Sequence, residues 1–536
     1  MLKGKFLKKF TIIFTFILLL LINSTSNASG SESTLYIKNK TKPEHLYVID
    51  QNKLSNAEST MIATLQGLTS NSSSQIYTIN KNHPSYKIWL QDLKKNYGVK
   101  YEIVDSPWYL LKKFKPYIKG YILYDSKDPK DPSINNACSL ASLKNSIAVD
   151  SSIENDVKSH GIDNLVFDCR NTDKYWAYKN LWNLGLDHST VIELNPKRSS
   201  ALRDYAIMTK SLIFYEDDKK DTSLRDKVFS SMDKNSICLG WGPSEFSNVK
   251  VASKYGVNLI PADFSYNLTV LSSFPSPVLK QKSYKSSVKL SSSPTHYVTF
   301  IMSDGDNQQW NLGSNFSSPK WYGSEYRGKI NLGWSISPSL YYLSPTVLKM
   351  YYNSASNGVN SDYFLVSPSG MGYMYPSKFD SKSLNLQIKE LNSYMKKVDQ
   401  KYVSVLDDGA FYRKDIWNKY TSKPNIEGIF YLDYKRQDNY KGKIIWSNKK
   451  PVVSCRDLLW SGLEDEDSLV DNIENYVNMG YTNPKYENAY TMVYVHVWSK
   501  TVEDVANVVD RLNKNPSIKV VPPNVFMESI KENVIH

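Results

Sequence analysis

Short β-branched and aromatic runs that alternate with amphipathic helical stretches constrain this chain more than any other feature. From His296 onward the runs fall at 296–303, 330–337, 362–367, 402–406, 428–432, 451–454, 491–497 and 518–521. Helical patterns at Pro345–Ser356, Leu384–Gln400, Asp467–Met479 and Thr501–Lys514 separate several of them. Strands divided by helices imply parallel sheets covered by helices, because a parallel crossover needs a helix-length connection. About eight strands over roughly 240 residues is the size of a (β/α)8 TIM-like barrel. The polar link from Asp433 to Pro451 reads as a hairpin, so the barrel is expected to be irregular.

The preceding half shows the same alternation. Strand-like runs include Leu46–Asp50, Gln75–Ile79, Tyr101–Val104, Gly120–Tyr124, Ser146–Val149, Asn164–Phe167, Thr190–Leu194, Ser211–Tyr215 and Ile237–Gly240. Residues 29–290 are therefore expected to form an N-terminal α/β region of two or more subdomains, divided loosely near residue 150 or 200. Residues 291–536 are expected to form the barrel, entered through a Ser-, Lys- and Pro-rich linker from Ser272 to Pro294. No Gly-x-Gly-x-x-Gly follows the first strand, and no phosphate-cradling Gly-Lys-Ser/Thr loop is present. No cofactor is implied. Gly240-Trp241-Gly242-Pro243 ends a strand and reads as a plain turn more readily than as a pocket wall. The N-terminal half is expected to frame the substrate or stabilise the barrel without chemistry of its own.

One stretch of the barrel region is unusual: Gly370-Met371-Gly372-Tyr373-Met374-Tyr375-Pro376, directly after the apolar run Tyr363–Val366 and Ser367-Pro368-Ser369. Two glycines two apart permit positive φ or close approach of the backbone. Pro376 fixes its own φ and biases Tyr375 toward extended geometry. The string predicts a stiff loop at a strand's C-terminal end that displays Tyr373 and Tyr375. Position for position it matches the signature of the GxGYxYP family, and on it the chain resembles that family of glycoside-hydrolase-designated proteins. The resemblance implies an N-terminal α/β region, a C-terminal barrel-like region carrying the motif, and a secreted bacterial protein of carbohydrate metabolism. It implies no particular catalytic residue.

The first residues are not read as part of the fold. Lys3, Lys5, Lys8 and Lys9 precede an apolar stretch from Phe10 to Ile22, and Ser26-Asn27-Ala28 offers small residues for a signal peptidase. This predicts a secretory signal peptide, residues 1–28, and an extracellular mature protein. No later stretch is long and apolar enough to span a membrane. The formal net charge is +13, four charges of which sit in the leader, and the rest are scattered without a basic arm or helix. Nucleic-acid binding is therefore not expected. Cys138, Cys169, Cys238 and Cys455 show no Cys-x-x-Cys spacing and sit mostly in or beside strand-like runs, so buried free thiols are expected.

In (β/α)8 barrels chemistry gathers at the C-terminal ends of the strands. Here those ends carry Asp304 and Asp306, the Gly370/Gly372/Tyr373/Tyr375 loop, Asp407-Asp408, Asp433, Arg456-Asp457 and His496-Val497-Trp498. Glycoside hydrolysis needs two carboxyls across the scissile bond, one protonated and one ionised. Asp408 and Asp433 are the first candidates for that pair, with Asp304, Asp306 and Asp457 as competitors. Asp407 alternatively points into the barrel or caps a helix. Arg456 is a candidate to hold a carboxylate ionised or to bind an acidic sugar, and His496 to bind a hydroxyl or assist proton transfer. Tyr373, Tyr375, Trp334 and Trp498 are candidates for stacking on sugar rings.

Two rival readings compete with a glycosidase. The run into Ser303-Asp304-Gly305-Asp306 resembles the first-strand acid motif of metal-dependent polysaccharide deacetylases, but no histidine pair has zinc-ligand spacing, and no metal is called. The same string starts like a calcium loop and lacks the acid at its twelfth position. The other rival is a non-catalytic glycan-binding surface protein, against which the many acidic strand ends argue.

Overall fold

The computed structural model describes residues 35–282, 294–436 and 438–536. The expected signal peptide and residues 283–293 of the expected linker lie outside them. Four sheets follow one another along the chain. The first three are parallel, as the strand–helix alternation dictates: β1 (His45–Asp50), β2 (Ile76–Ile79) and β3 (Lys100–Val104) in the order 2-1-3; β4 (Tyr121–Tyr124), β5 (Ile147–Asp150) and β6 (Leu165–Asp168) in the order 5-4-6; and β7 (Asp187–Glu193), β8 (Ser211–Phe214), β9 (Ser236–Gly240) and β10 (Val257–Ile260) in the order 10-9-7-8. The sequence reading placed a strand at each of these except β10. Between β9 and β10 lies the helix Glu245–Tyr255, ended by Gly256 in the left-handed region at φ 73°.

The fourth sheet has ten strands: β11 (His296–Met302), β12 (Leu332–Ile336), β13 (Asp362–Val366), β14 (Tyr402–Asp407), β15 (Gly428–Asp433), β16 (Ile444–Ser447), β17 (Lys450–Ser454), β18 (Asp457–Leu459), β19 (Tyr490–Val495) and β20 (Ile518–Val520). Its order is 16-17-15-14-13-12-11-19-18, with β20 pairing only β11. It curls into a half-barrel. β11, β12, β13, β15 and β19 are buried along their whole length, the pattern of parallel strands covered on both faces.

Two departures from a regular barrel have local causes. β16 and β17 form an antiparallel hairpin, as the sequence suggested. Its turn residues Asn448 and Lys449 both take positive φ, which a two-residue loop matched to strand twist requires. β17 and β18 are consecutive segments on either side of Cys455-Arg456 that pair with different neighbours, β15 and β19. The eighth expected strand, β20, is only three residues long.

Residues Tyr36–His536 form one compact unit. The described end of the expected linker is docked on it: the Gln281 side-chain amide donates to Phe364 O (2.9 Å) and accepts from Phe364 N (2.8 Å), as another strand would. All four cysteines are free, with Cys138, Cys169 and Cys238 buried and Cys455 partly so. No helix among the described residues is long and apolar enough to cross a membrane.

Candidate functional site

A cleft of about 540 Å³ opens at the C-terminal ends of β9 and of the β11, β15 and β19 strands. Its lining combines three acids, Glu245, Asp304 and Asp306, with Arg436 and His496 and a set of aromatic rings from Trp241, Tyr373, Tyr434, Trp460, Tyr494 and Trp498.

The loop after β11 supplies two of the acids. Gly305 lies against the carbonyl of Ser335, where a Cβ would overlap it, and Gly305 N donates to Ser335 Oγ (3.1 Å). Ser335 Oγ in turn donates to Met302 O (2.8 Å), so the turn is tied to β12. Asp304 takes φ 59° there, and its carboxylate accepts from Ser303 Oγ and from Trp498 Nε1 (2.9 Å). Asp306 is buried beside it. Burial raises the Asp306 carboxyl well above the ordinary value, and the nearby charges of Asp304 and Glu245 push the same way.

The third acid comes from the other half of the chain. β9 ends in Gly240-Trp241-Gly242-Pro243, and Glu245 opens the helix that follows. Burial raises the Glu245 carboxyl; the Tyr373 hydroxyl, which donates to Glu245 Oε1 (2.7 Å), lowers it, Asp304 raises it and Arg436 lowers it.

The glycine–tyrosine motif explains this arrangement. Tyr373 pairs with Leu259 of β10 through both backbone hydrogen bonds (2.8 and 3.3 Å), so the loop extends the third sheet at its edge. Tyr375 N donates to Ser253 Oγ (3.0 Å) on the Glu245 helix, and Tyr36 Oη donates to Met371 O. A Cβ on Gly372 would come within 2.8 Å of Asn258 Cβ, and one on Gly370 would overlap the Gln387 amide. Both glycines serve close approach, and neither touches the cleft. Tyr373 lies near-parallel to Trp241 (6.3 Å, 16°) in the cleft wall. Tyr375 is fully buried behind it, against Phe246 and Tyr434.

The ends of β19 and β15 complete the site. His496 stacks face to face on Trp460 (3.9 Å, 3°) and exchanges a hydrogen bond with Ser499 Oγ through Nδ1 (2.8 Å). Burial lowers its pKa, Asp304 opposes this and the Arg436 charge lowers it further. Trp498 is 50% exposed at the mouth.

Other expected site residues are committed to the framework. Asp408 is ion-paired to Lys378 (3.0 Å) and Lys435 (3.1 Å); burial raises its carboxyl, but the two ammonium groups outweigh burial and hold it below the ordinary value. Asp433 is buried and accepts from Gly409 N (2.7 Å), Lys435 N (2.9 Å), Tyr431 Oη (3.2 Å) and Tyr440 Oη. Asp407 points inward and accepts from Ser377 N (2.7 Å) and Ser377 Oγ (2.6 Å). Asp457 is buried under Lys441 (3.3 Å) and Tyr476 Oη (3.0 Å). Arg456 spends its donors on the carbonyls of Tyr490, Gly442 and Glu487. Trp334 is buried, with Nε1 on Asp362 Oδ1 (2.9 Å). None of these lines the cleft. Strand-end position selected the acids and Arg456; here their polar atoms are engaged by framework residues.

Glu245, Trp241, Arg436, Trp460 and Tyr494 were not among the expected site residues. Applying the strand-end rule to β9 as it was applied to β11 would have reached Trp241 and Glu245. The expectation that the N-terminal half frames the substrate or stabilises the barrel without chemistry of its own kept them out. Among the described residues no group of three or more His, Cys, Asp or Glu is arranged to hold a metal ion.

Comparison with known proteins follows the same division of the chain. Four family models match in series: "GxGYxYP_N 1st domain" at residues 45–116, "GxGYxYP_N second domain" at 118–186, "GxGYxYP third domain" at 188–273, and "GxGYxYP putative glycoside hydrolase C-terminal domain" at 294–531. A solved structure described as a "putative hydrolase from Bacteroides thetaiotaomicron VPI-5482" is 31% identical, covering 93% of this chain and 96% of that one, with a TM-score of 0.84. No curated protein matches the chain.

Proposed function

The chain belongs to the GxGYxYP family, and from that premise we propose that it cleaves glycosidic bonds in a poly- or oligosaccharide by carboxyl general acid/base chemistry. The observation that carries the reading is the convergence of Glu245, Asp304 and Asp306 in one aromatic-walled cleft. Glycoside hydrolysis needs one carboxyl kept protonated and a second kept ionised. Glu245 and Asp306, both raised by burial, suit the proton donor. Asp304, served by Ser303 Oγ and Trp498 Nε1, suits the charged partner that attacks the anomeric carbon or activates water. The rings of Trp241, Tyr373 and Trp498 offer faces for sugar stacking.

In this reading the family motif is a clamp. It docks the third domain against the curled sheet and carries Tyr373 onto Glu245, so the active cleft is shared by two domains. The parallel run from β15 to β19 supports classing the sheet as an irregular (β/α)8-like barrel. The basic-then-apolar leader supports export of the mature protein, residues 29 onward.

The test is incubation of the mature protein with a panel of plant, host and cell-wall polysaccharides, recording new reducing ends and released acetate with and without EDTA. The expected result is reducing ends that vanish in a folded Glu245→Gln variant. Acetate without reducing ends would replace this reading with a deacetylase. Retention of polysaccharide without either product would replace it with a binding module.

A further inference from the structure

Among the described residues that line the main cleft Arg436 is the one cation, and its own protein contacts leave it underused. Among the described residues the only hydrogen bond of its side chain is from Nη1 to the carbonyl of Asp433 (2.6 Å); its Nε is buried with no partner. The guanidinium lies over Trp460 (4.6 Å to the ring centroid), the same ring that carries His496 on its other contact. Arg436 also holds positive φ at 56°, a conformation unfavourable for a side chain of its size. A buried guanidinium donor without an acceptor is costly unless a ligand supplies one.

Arg436 also forms the wall between the cleft and a side recess of about 70 Å³, room for about two water-sized groups at ~30 Å³ each. The acids bordering that recess are already satisfied. Asp433 has its four donors, and Glu464 accepts from Leu458 N (2.7 Å) and Asn472 Nδ2 (2.8 Å). Lys441 borders the recess as well and is paired with Asp457 (3.3 Å). The unmet demand for an acceptor is that of Arg436 Nε, at the junction of the recess with a sugar-sized cleft.

We propose that Arg436 binds an anionic substituent of the sugar, the carboxylate of a uronic acid or a sulfate ester, seated at this junction, so that the substrate is an acidic glycan. Arg436 then takes the acidic-sugar role expected of Arg456, whose Nε and Nη2 are engaged by the carbonyls of Tyr490, Gly442 and Glu487. A guanidinium fork meets a carboxylate or sulfate with two parallel hydrogen bonds, which a neutral hydroxymethyl group cannot return. The inference rests on the carbohydrate reading of the cleft and concerns recognition, independent of whether a bond is cut.

The test measures binding of the full mature protein, by calorimetry, to a matched pair: a polyuronide and the same polymer after chemical reduction of its carboxylates to hydroxymethyl groups. A sulfated and a desulfated form of one polysaccharide make the second pair. The expected result is at least tenfold tighter binding to the charged member of one pair, and which pair shows it identifies the anion. Arg436→Gln should erase the preference, and Arg436→Lys should restore part of it, with melting temperature checked for each. Equal binding to both members, a preference that survives Arg436→Gln, or no binding to any of the four polymers by folded protein would overturn the proposal. Preference without released reducing ends would keep it while refuting hydrolysis.

Discussion

Two sets of strand-end acids in the curled sheet look alike in sequence and differ in what surrounds them. At the ends of β14 and β15, Asp407, Asp408 and Asp433 meet backbone amides, tyrosine and serine hydroxyls and two lysines. At the end of β11, Asp306 is buried beside Asp304 and Glu245, and both neighbours raise its pKa further. The first set holds loops in place through its hydrogen bonds and ion pairs. The second is arranged so that protonation is close at hand. Position at a strand end identifies neither; the supply of hydrogen-bond donors separates them.

This contrast sets an order of expected effects. Asp304→Asn, Asp306→Asn and Glu245→Gln should each lower kcat/KM for glycan cleavage by about 10²–10⁴-fold, the range of a lost acid or base, with the melting temperature nearly unchanged. Asp433→Asn should behave in the opposite way. It weakens several charge-assisted hydrogen bonds at a buried site and should cost about 2–4 kcal/mol of stability in denaturant unfolding. Gly372→Ala should also act on stability, since its methyl group enters the space against Asn258. About 1–3 kcal/mol is expected, with partial loss of activity as the Glu245 helix shifts.

Smaller effects sharpen the same distinction through pH. Glu245 has a raised carboxyl, so it stays protonated to higher pH, and activity that needs its proton falls as pH rises through that value. The Tyr373 hydroxyl opposes the rise. Tyr373→Phe should therefore move the alkaline limb of the pH–rate profile to higher pH. Asp408 has the reverse sign. Its lowered carboxyl contributes stability that is present above the unfolded value and lost as pH falls through the folded one. Asp408→Asn should flatten the acid side of the stability–pH curve, below about pH 4, and leave kcat little changed.

Much of the fold was legible because parallel strands buried on both faces are continuous apolar runs, as in β4, β5, β8 and β11. β10 was missed because Val257–Ile260 includes Asn258 and follows a helix that ends on Gly256, so its periodicity is short and broken. That single strand is the partner of the glycine–tyrosine motif. Without it the motif reads as a loop displaying tyrosines, whereas Tyr375 is buried and both glycines pack against other segments. Asp304, Asp306, Tyr373, His496 and Trp498 were named from strand-end logic and line the cleft. Glu245 was not, because its contact with Tyr373 depends on the helix before β10, β10 itself and the motif meeting across more than a hundred residues of chain.

The central claim is that the third domain contributes a carboxyl to a cleft shared with the curled sheet. The most direct measurement compares Glu245→Gln with Asp433→Asn, each assayed for reducing-end release on a polysaccharide that the wild-type protein cleaves and for thermal unfolding. The account predicts a Glu245→Gln protein that melts like wild type and releases reducing ends at least 100-fold more slowly, beside an Asp433→Asn protein that melts lower. A fully active Glu245→Gln protein, or an Asp433→Asn protein that melts like wild type and is inactive, would contradict it.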